Sequence, residues 1–448
     1  MEYQEFPFVR ERAASPPPQY QKLRRTCPVS KVKLPSGDQA WLLTKHEDIR
    51  TALSSDKVSA DPRTPGYPRL RQTTTGGNDP SQPTILTLDD PEHSRLRKAL
   101  EVEFTPEAVD GLRPLIHGVV DRALDDIDRR FVEEHEPFDL IDEFAAPVPT
   151  RIICRIVGVP ASDVEWLAQD TSLGTDHSGD VAEGEERVLI RYVRRLVEGR
   201  ISRTDESYGE DRREDMLERE GLGEKEKDKG KGKGKEVHEG LISKLVRQQY
   251  DTGNLSRDEV VQLVYVVLTA GNTALLNSIG LGVLTLFENQ EQWHKVRRNP
   301  LAFGPGLAAE CLRYNTTSAL DCRRAVVDDL VLRGKTVKKG EGVICAVQSA
   351  DRDEAVTQKP DVFDVSRKYP AEDLLGFGYG AHRCLGEHLA KTTLEIALAT
   401  LFARFPGLKL HGQVDDVEFT APTENIGVVK LPVIVDDHVQ LHRIIMPD

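Results

Sequence analysis

One stretch, Phe377-Gly-Tyr-Gly-Ala-His-Arg-Cys-Leu-Gly386, limits what this chain can fold into. It sets a single cysteine, Cys384, in a glycine-rich loop just ahead of a long helical run, Glu387 to Phe402. A thiolate is a soft ligand suited to iron, and its electron donation favours cleavage of a bond on the metal's opposite face. Gly378, Gly380 and Gly386 carry no Cβ and let backbone and cofactor approach closely. The helix start after Cys384 would place free N–H groups and positive dipole near the sulfur, which predicts a thiol poised toward its anion. The competing reading is a buried structural cysteine beside a glycine turn.

The spacing Phe-Gly-x-Gly-x-His-x-Cys-Leu-Gly resembles the heme-binding loop of the cytochrome P-450 (heme-thiolate) superfamily. The resemblance implies a mainly α fold with small β-sheets, the cytochrome P-450 fold, enclosing heme b (iron protoporphyrin IX). Cys384 would be the iron ligand, with Phe377 and Gly378 against the cofactor. Motifs that must meet at one heme lie between His93 and Cys384, so residues 1–448 are expected to form a single large heme-thiolate domain.

The chain has a formal net charge of −14, which argues against nucleic-acid binding. Its six cysteines include no Cys-x-x-Cys and no paired spacing, which predicts a reducing, cytoplasmic compartment. The first forty residues hold no run of about twenty apolar residues, so no membrane association is expected. Acidic Glu2, Glu5 and Glu11 are unlike an organelle presequence, although a mitochondrial form is left open. The segment 205–239 is almost devoid of apolar residues and ends in Lys-Gly alternation; such composition predicts a disordered charged insertion within the domain.

Local patterns place the motifs. Ala40–Thr44 reads as a strand followed by a short helix, and Pro91–Phe104 as a helix capped by Asp89 and Asp90. Arg187–Ile201 reads as a basic amphipathic helix. A long apolar helix is expected from Ser256 to Phe287, with Ser256 and Glu259 forming a capping box. Leu301–Tyr314 reads as a further helix; strand-like pieces follow at 327–332, 342–347 and 426–435.

Glu310-Cys-Leu-Arg313 puts an acid and a base on one helical face, and it matches the superfamily's Glu-x-x-Arg. With Asp361-Val-Phe-Asp-Val-Ser-Arg367 it resembles the triad that braces the cysteine loop. His93-Ser-Arg-Leu-Arg97 sets a histidine and an arginine one turn apart, and arginine binds carboxylate in a fork. The resemblance implies that His93, Arg97, Arg324 and His382 hold the heme propionates.

Ala270-Gly-Asn-Thr-Ala-Leu-Leu-Asn277 would pass over the distal heme face, where monooxygenases of the superfamily carry an acid and then a threonine. Those positions are Thr273 and Ala274 here, so the hydroxyl comes one residue early, turned by about 100° around the helix. Ala270-Gly271-Asn272 resembles the soluble fungal nitric oxide reductases of the superfamily, as do Asp90-Pro-Glu-His93, Phe104-Thr-Pro-Glu-Ala-Val109 and Thr317-Ser-Ala-Leu320. That narrower resemblance implies 2 NO + NAD(P)H + H+ → N2O + H2O + NAD(P)+, by direct hydride transfer to the ferric nitrosyl heme. NADH or NADPH would be the electron donor, no separate reductase would be needed, and the chain would act as a monomer. Ser318 would serve proton delivery. The family's distal threonine falls on Ala274, its C-terminal loop aspartate on Asn425, and its entrance cations on Ala60, Pro62 and Gly174. Arg63 is the nearest substitute, with Arg69 and Arg71 further candidates. The alternative is a soluble P-450 monooxygenase or peroxygenase hydroxylating a small organic substrate; a heme-based gas sensor or carrier is a third reading.

Overall fold

The computed structural model describes residues 3–10, 15–70, 83–133, 135–169, 188–204, 240–317, 322–368, 374–421 and 425–436. The expected insertion at 205–239 lies outside them. Three helices form the centre. The long apolar run begins as the sequence predicts: Ser256 accepts from the Glu259 N–H while the Glu259 side chain accepts from the Ser256 N–H. It does not continue unbroken to Phe287. It divides at Gly271 into Arg257–Ala270 and Asn272–Glu288. This is the one stretch among the described residues long and apolar enough to cross a membrane, and nearly every residue from Asn277 to Phe287 is buried in the protein core.

The second segment packs between helices Pro300–Asn315 and Glu387–Arg404. Gly282 permits that approach: a Cβ there would lie 3.1 Å from the Cys311 sulfur and 3.3 Å from Leu398. Burying apolar side chains on all sides contributes about 25 cal/mol per Å² removed from water, which explains why the Glu387–Arg404 helix has no marked polar face. The main core gathers Leu100, Ile116, Phe144, Val264, Leu284, Leu307 and Phe402 from across the chain.

The sheets lie beside this helical mass. The largest has six strands in the order Gln4–Glu5, Val29–Lys33, Gln39–Leu43, Gly342–Cys345, Arg323–Val326 and Val58–Ser59. The strand expected at 327–332 is shorter, Leu330–Leu332, paired with Lys335–Val337. The C-terminal strand Pro432–Val435 lies between Leu408–Leu410 and Phe138–Asp139. The helix expected after Asp89 and Asp90 spans Glu92–Glu101. Only Asp90 caps it, accepting from the Ser94 N–H at 3.1 Å, whereas Asp89 turns away to accept from the Ala60 N–H at 2.9 Å.

Candidate active site

The cysteine loop is built by backbone geometry. Gly378 and Gly380 both sit at φ 72, a region that side chains disfavour, and a Cβ on Gly380 would meet the Leu53 carbonyl oxygen at 2.5 Å. The loop closes through the Cys384 N–H to the Phe377 carbonyl at 2.8 Å and the Gly378 N–H to Leu375 at 2.8 Å. Gly386 has an ordinary φ of −83 and stands at the start of the helix. Its N–H bonds the Cys384 sulfur and favours the thiolate, yet burial outweighs it and raises the thiol pKa. This reverses the expectation drawn from the helix start alone. The surrounding protein desolvates the sulfur, while the side chain itself faces open space and is exposed. A sulfur so placed gains most from a cation that stabilises its anion, which fits iron ligation.

Behind the loop, Glu387 accepts from Arg383 at 2.8 and 3.0 Å and from Lys391 at 2.6 Å. Arg97 donates to the Arg383 carbonyl at 2.8 Å, linking the Glu92–Glu101 helix to the cysteine loop. His93 and His382 stack with ring centroids 4.1 Å apart. Burial lowers the pKa of both; His382 is pushed down to about 3, with Arg324, His93 and Arg97 adding to the effect. Both rings are therefore neutral near pH 7, so the cluster's positive charge resides on Arg324 and on Arg97, whose Nε also pairs with Glu101 at 2.9 Å. Among the described residues, Arg324 makes a single side-chain bond, to the Arg323 carbonyl at 2.8 Å. The buried His93 Nδ1 lies 3.7 Å from Asp90 and has no hydrogen-bond partner among the described residues. Two guanidiniums and two neutral imidazoles suit a dianionic group such as the two heme propionates. The residues present thus fit heme.

The triad braces this arrangement from the side. Glu310 and Arg313, each 1% exposed, form a two-pronged pair at 2.8 and 2.8 Å. Arg367 reaches the same carboxylate at 3.3 Å, and the Asp364 N–H reaches it at 2.9 Å. Asp351 then ties the end of this helix to the start of the cysteine stretch: it accepts from Thr316 Oγ1 at 2.9 Å and the Leu375 N–H at 2.8 Å. Burial pushes its carboxyl up to about 7 from the usual 3.8. Because the folded pKa is the higher one, the fold retains a proton that the unfolded chain has lost. Stability is fully present below the unfolded pKa and is lost as pH rises through about 7. The urea midpoint should therefore fall between about pH 4 and about pH 7 and level off above that, and Asp351→Asn should flatten that dependence. An unchanged slope in the variant would assign the pH effect elsewhere.

In the long apolar run, Ala270 and Gly271 are exposed at the helix break, although they lie midway along it. Asn272 is not delivered to that space. It is 8% exposed, and its Nδ2 donates to the Leu268 carbonyl at 2.8 Å, closing the turn before the break. Thr273 Oγ1 is buried with no hydrogen-bond partner among the described residues. The Ala274 carbonyl accepts from Ser278 Oγ at 2.7 Å and Thr317 Oγ1 at 3.4 Å. Ser318 lies outside the described residues, as do Arg71 and Gly174.

At the candidate entrance, Arg63 is folded onto Asp61, with bonds of 2.9 and 2.6 Å to one carboxylate oxygen, so its charge is largely neutralised. Arg69 donates to the Pro62 carbonyl at 3.1 Å. Arg323, which sequence reasoning passed over, sits 5.5 Å from the Tyr67 ring centroid and donates to the Pro68 carbonyl at 3.3 Å. Its buried Nε lacks a partner among the described residues. The signal was present in the Arg323-Arg324 pair, since adjacent residues of a strand point to opposite faces.

Comparison with known proteins adds to this geometry. A family profile described as cytochrome P450 matches residues 307–433. Cytochrome P450 55A3 of Fusarium lichenicola is 36% identical over 432 residues, 96% of either chain. The 20-oxo-5-O-mycaminosyltylactone 23-monooxygenase of Streptomyces fradiae is 30% identical over 429 residues, covering 96% of this chain and 91% of that one. The crystal structure of GfsF, a Streptomyces halstedii cytochrome P450, superposes with a TM-score of 0.80 at 29% identity, covering 96% of this chain and all of the other. With an exposed thiol in a glycine-built loop, a propionate-ready cluster and likeness along almost the whole chain, this protein belongs to the cytochrome P450 family of heme-containing oxidoreductases.

Proposed function

We propose that this cytochrome P450 is a nitric oxide reductase that takes both electrons from NAD(P)H: 2 NO + NAD(P)H + H+ → N2O + H2O + NAD(P)+. The observation that carries this reading is the distal helix. The acid–threonine pair through which monooxygenases of the superfamily move protons is replaced by Thr273 and Ala274. Oxygenation needs protons delivered on demand from such a pair. Hydride donation brings both electrons at once and needs no separate reductase.

Heme held at Cys384 supplies an iron that binds NO, tuned by thiolate donation. His93, Arg97, Arg324 and His382 orient it through its propionates. Ala270 and Gly271 leave room above it for a small ligand. The Thr273 hydroxyl is a buried proton carrier at hand, and Ser318 is the second that the family resemblance implies. Arg323 and Arg69 offer cationic partners for a pyrophosphate, and Arg63 joins them once released from Asp61. The reaction is placed in the cytoplasm, by a monomer.

The Streptomyces monooxygenase stands almost as near in identity, so hydroxylation of a small organic substrate is the second reading. Anaerobic protein mixed with NO and NADH alone should consume NADH and release N2O. If neither NADH nor NADPH alters the spectrum of the NO-treated ferric protein, the reductase reading fails and the monooxygenase reading takes its place.

A further inference from the structure

The strand that carries Arg324 also carries a thiol beside it. Arg323 lies opposite Ile344 and Arg324 opposite Val343 in an antiparallel pair. Continuing that register sets Cys322 opposite Cys345, and the Cys345 N–H donates to the Cys322 carbonyl at 2.9 Å. Residues directly opposed across two strands point their side chains to one face. A hydrogen-bonded antiparallel pair has Cα atoms about 5.5 Å apart, within the roughly 4.4–6.8 Å that a disulfide spans.

Burial distinguishes the two sulfurs. Cys345 is fully buried in a small core with Leu43, Ile49 and Leu375, and Cys322 packs against that core while only partly buried. They are close enough to interact electrostatically: burial raises the Cys345 thiol pKa, and Cys322 raises it further against the pull of Arg324. On its other side, Cys322 faces the cysteine loop, since a Cβ at Gly378 would lie 4.0 Å from its sulfur.

We propose that Cys322 and Cys345 are a modification site in the wall of the heme pocket, closing to a reversible disulfide when a small peroxide reaches Cys322. The peroxide O–O bond breaks as the Cys322 sulfur takes one oxygen to become a sulfenic acid, and the other oxygen leaves as water. The Cys345 sulfur then forms the S–S bond and the sulfenic oxygen leaves as a second water. Two thiols lose two electrons and two protons, and one peroxide gains them. The bond draws Cys322 toward Cys345 and away from Gly378, which moves the strand edge that presents Arg324.

The test treats full-length holoprotein with hydrogen peroxide, alkylates the remaining thiols and digests with trypsin. Peptides 314–323 and 340–352 should appear linked, lighter by two hydrogens than their sum, and should separate on reduction with dithiothreitol. Cys345→Ser should lack the linked species and carry irreversibly oxidised Cys322 instead. Both thiols remaining alkylatable in the wild type, or Cys322 reaching sulfinic acid with Cys345 still free, overturns the proposal. Heme transfer to apomyoglobin gives a second readout. It should be several-fold faster from the disulfide form, restored by dithiothreitol and unaffected by peroxide in Cys345→Ser. A linked pair with unchanged transfer would remove the site from the pocket wall.

Discussion

Glu310→Ala should destabilise the holoprotein by about 3–5 kcal/mol, the cost of leaving a buried ion partner uncompensated, and should do so without touching the heme. Glu310 accepts four hydrogen bonds: two from Arg313, one from Arg367 and one from the Asp364 N–H. Alanine would strand the Arg313 guanidinium at 1% exposure. Its carboxylate partner would be gone, while the carbonyls of Pro360 at 2.8 Å, Asp351 at 3.2 Å and Val362 at 3.4 Å would still accept from it without neutralising its charge. The loss is large against the roughly 5–15 kcal/mol that hold a typical fold together. It propagates, because Arg367 uses the same segment, donating to Gln358, Lys359 and Val362. Stretch 358–364 would lose the part of its attachment to the Pro300–Asn315 helix that runs from the Asp364 N–H and Arg367 to Glu310, and the brace of the cysteine loop that follows would weaken. The measurement is the urea midpoint of wild type, Glu310→Ala and Glu310→Gln. The amide keeps the shape and one acceptor, so its midpoint should fall between the other two. A Glu310→Ala midpoint equal to wild type would reduce the triad to a dispensable ion pair.

The Glu310–Arg313 face was legible because a three-residue spacing is a local fact of helices. So was the Ser256–Glu259 capping box. What escaped the sequence was set partly by distant chain and partly by side chains that turn back onto near neighbours. The break at Gly271 is stabilised by a side chain, Asn272, that the motif suggested was a pocket residue. The Cys384 thiol illustrates the same limit. The nearby Gly386 N–H pulls the pKa down, and burial by walls contributed from the whole fold outweighs it and pushes the pKa up. His93 and His382 meet as stacked rings although 289 residues separate them; only the family resemblance brought them together beforehand. Arg63 was chosen for its nearness in sequence to the expected cations, but Asp61, two residues away, holds it. Strand register set Cys322 against Cys345, and register is not written in either strand alone.

Cys384→Ala should abolish the thiolate-type Soret band of the reduced carbonyl complex while leaving the fold in place. The loop does not depend on the sulfur for its shape. Its closing bond runs from the Cys384 backbone N–H to Phe377, and its flank is held by Arg97 on the Arg383 carbonyl and by Glu387 on Arg383 and Lys391. The propionate cluster of His93, Arg97, Arg324 and His382 is likewise untouched, so the variant should still take up heme, though more weakly. What disappears is the soft ligand at Cys384, and with it the electron donation that gives the band its position. Cys311→Ala is the matched control. Cys311 is 1% exposed in the packed core, and burial raises its thiol pKa. It should cost stability through a small cavity and leave the band unchanged. A band that survives in Cys384→Ala removes the ligand assignment. A band lost in both variants would show that it reports packing around the heme rather than the sulfur bound to it.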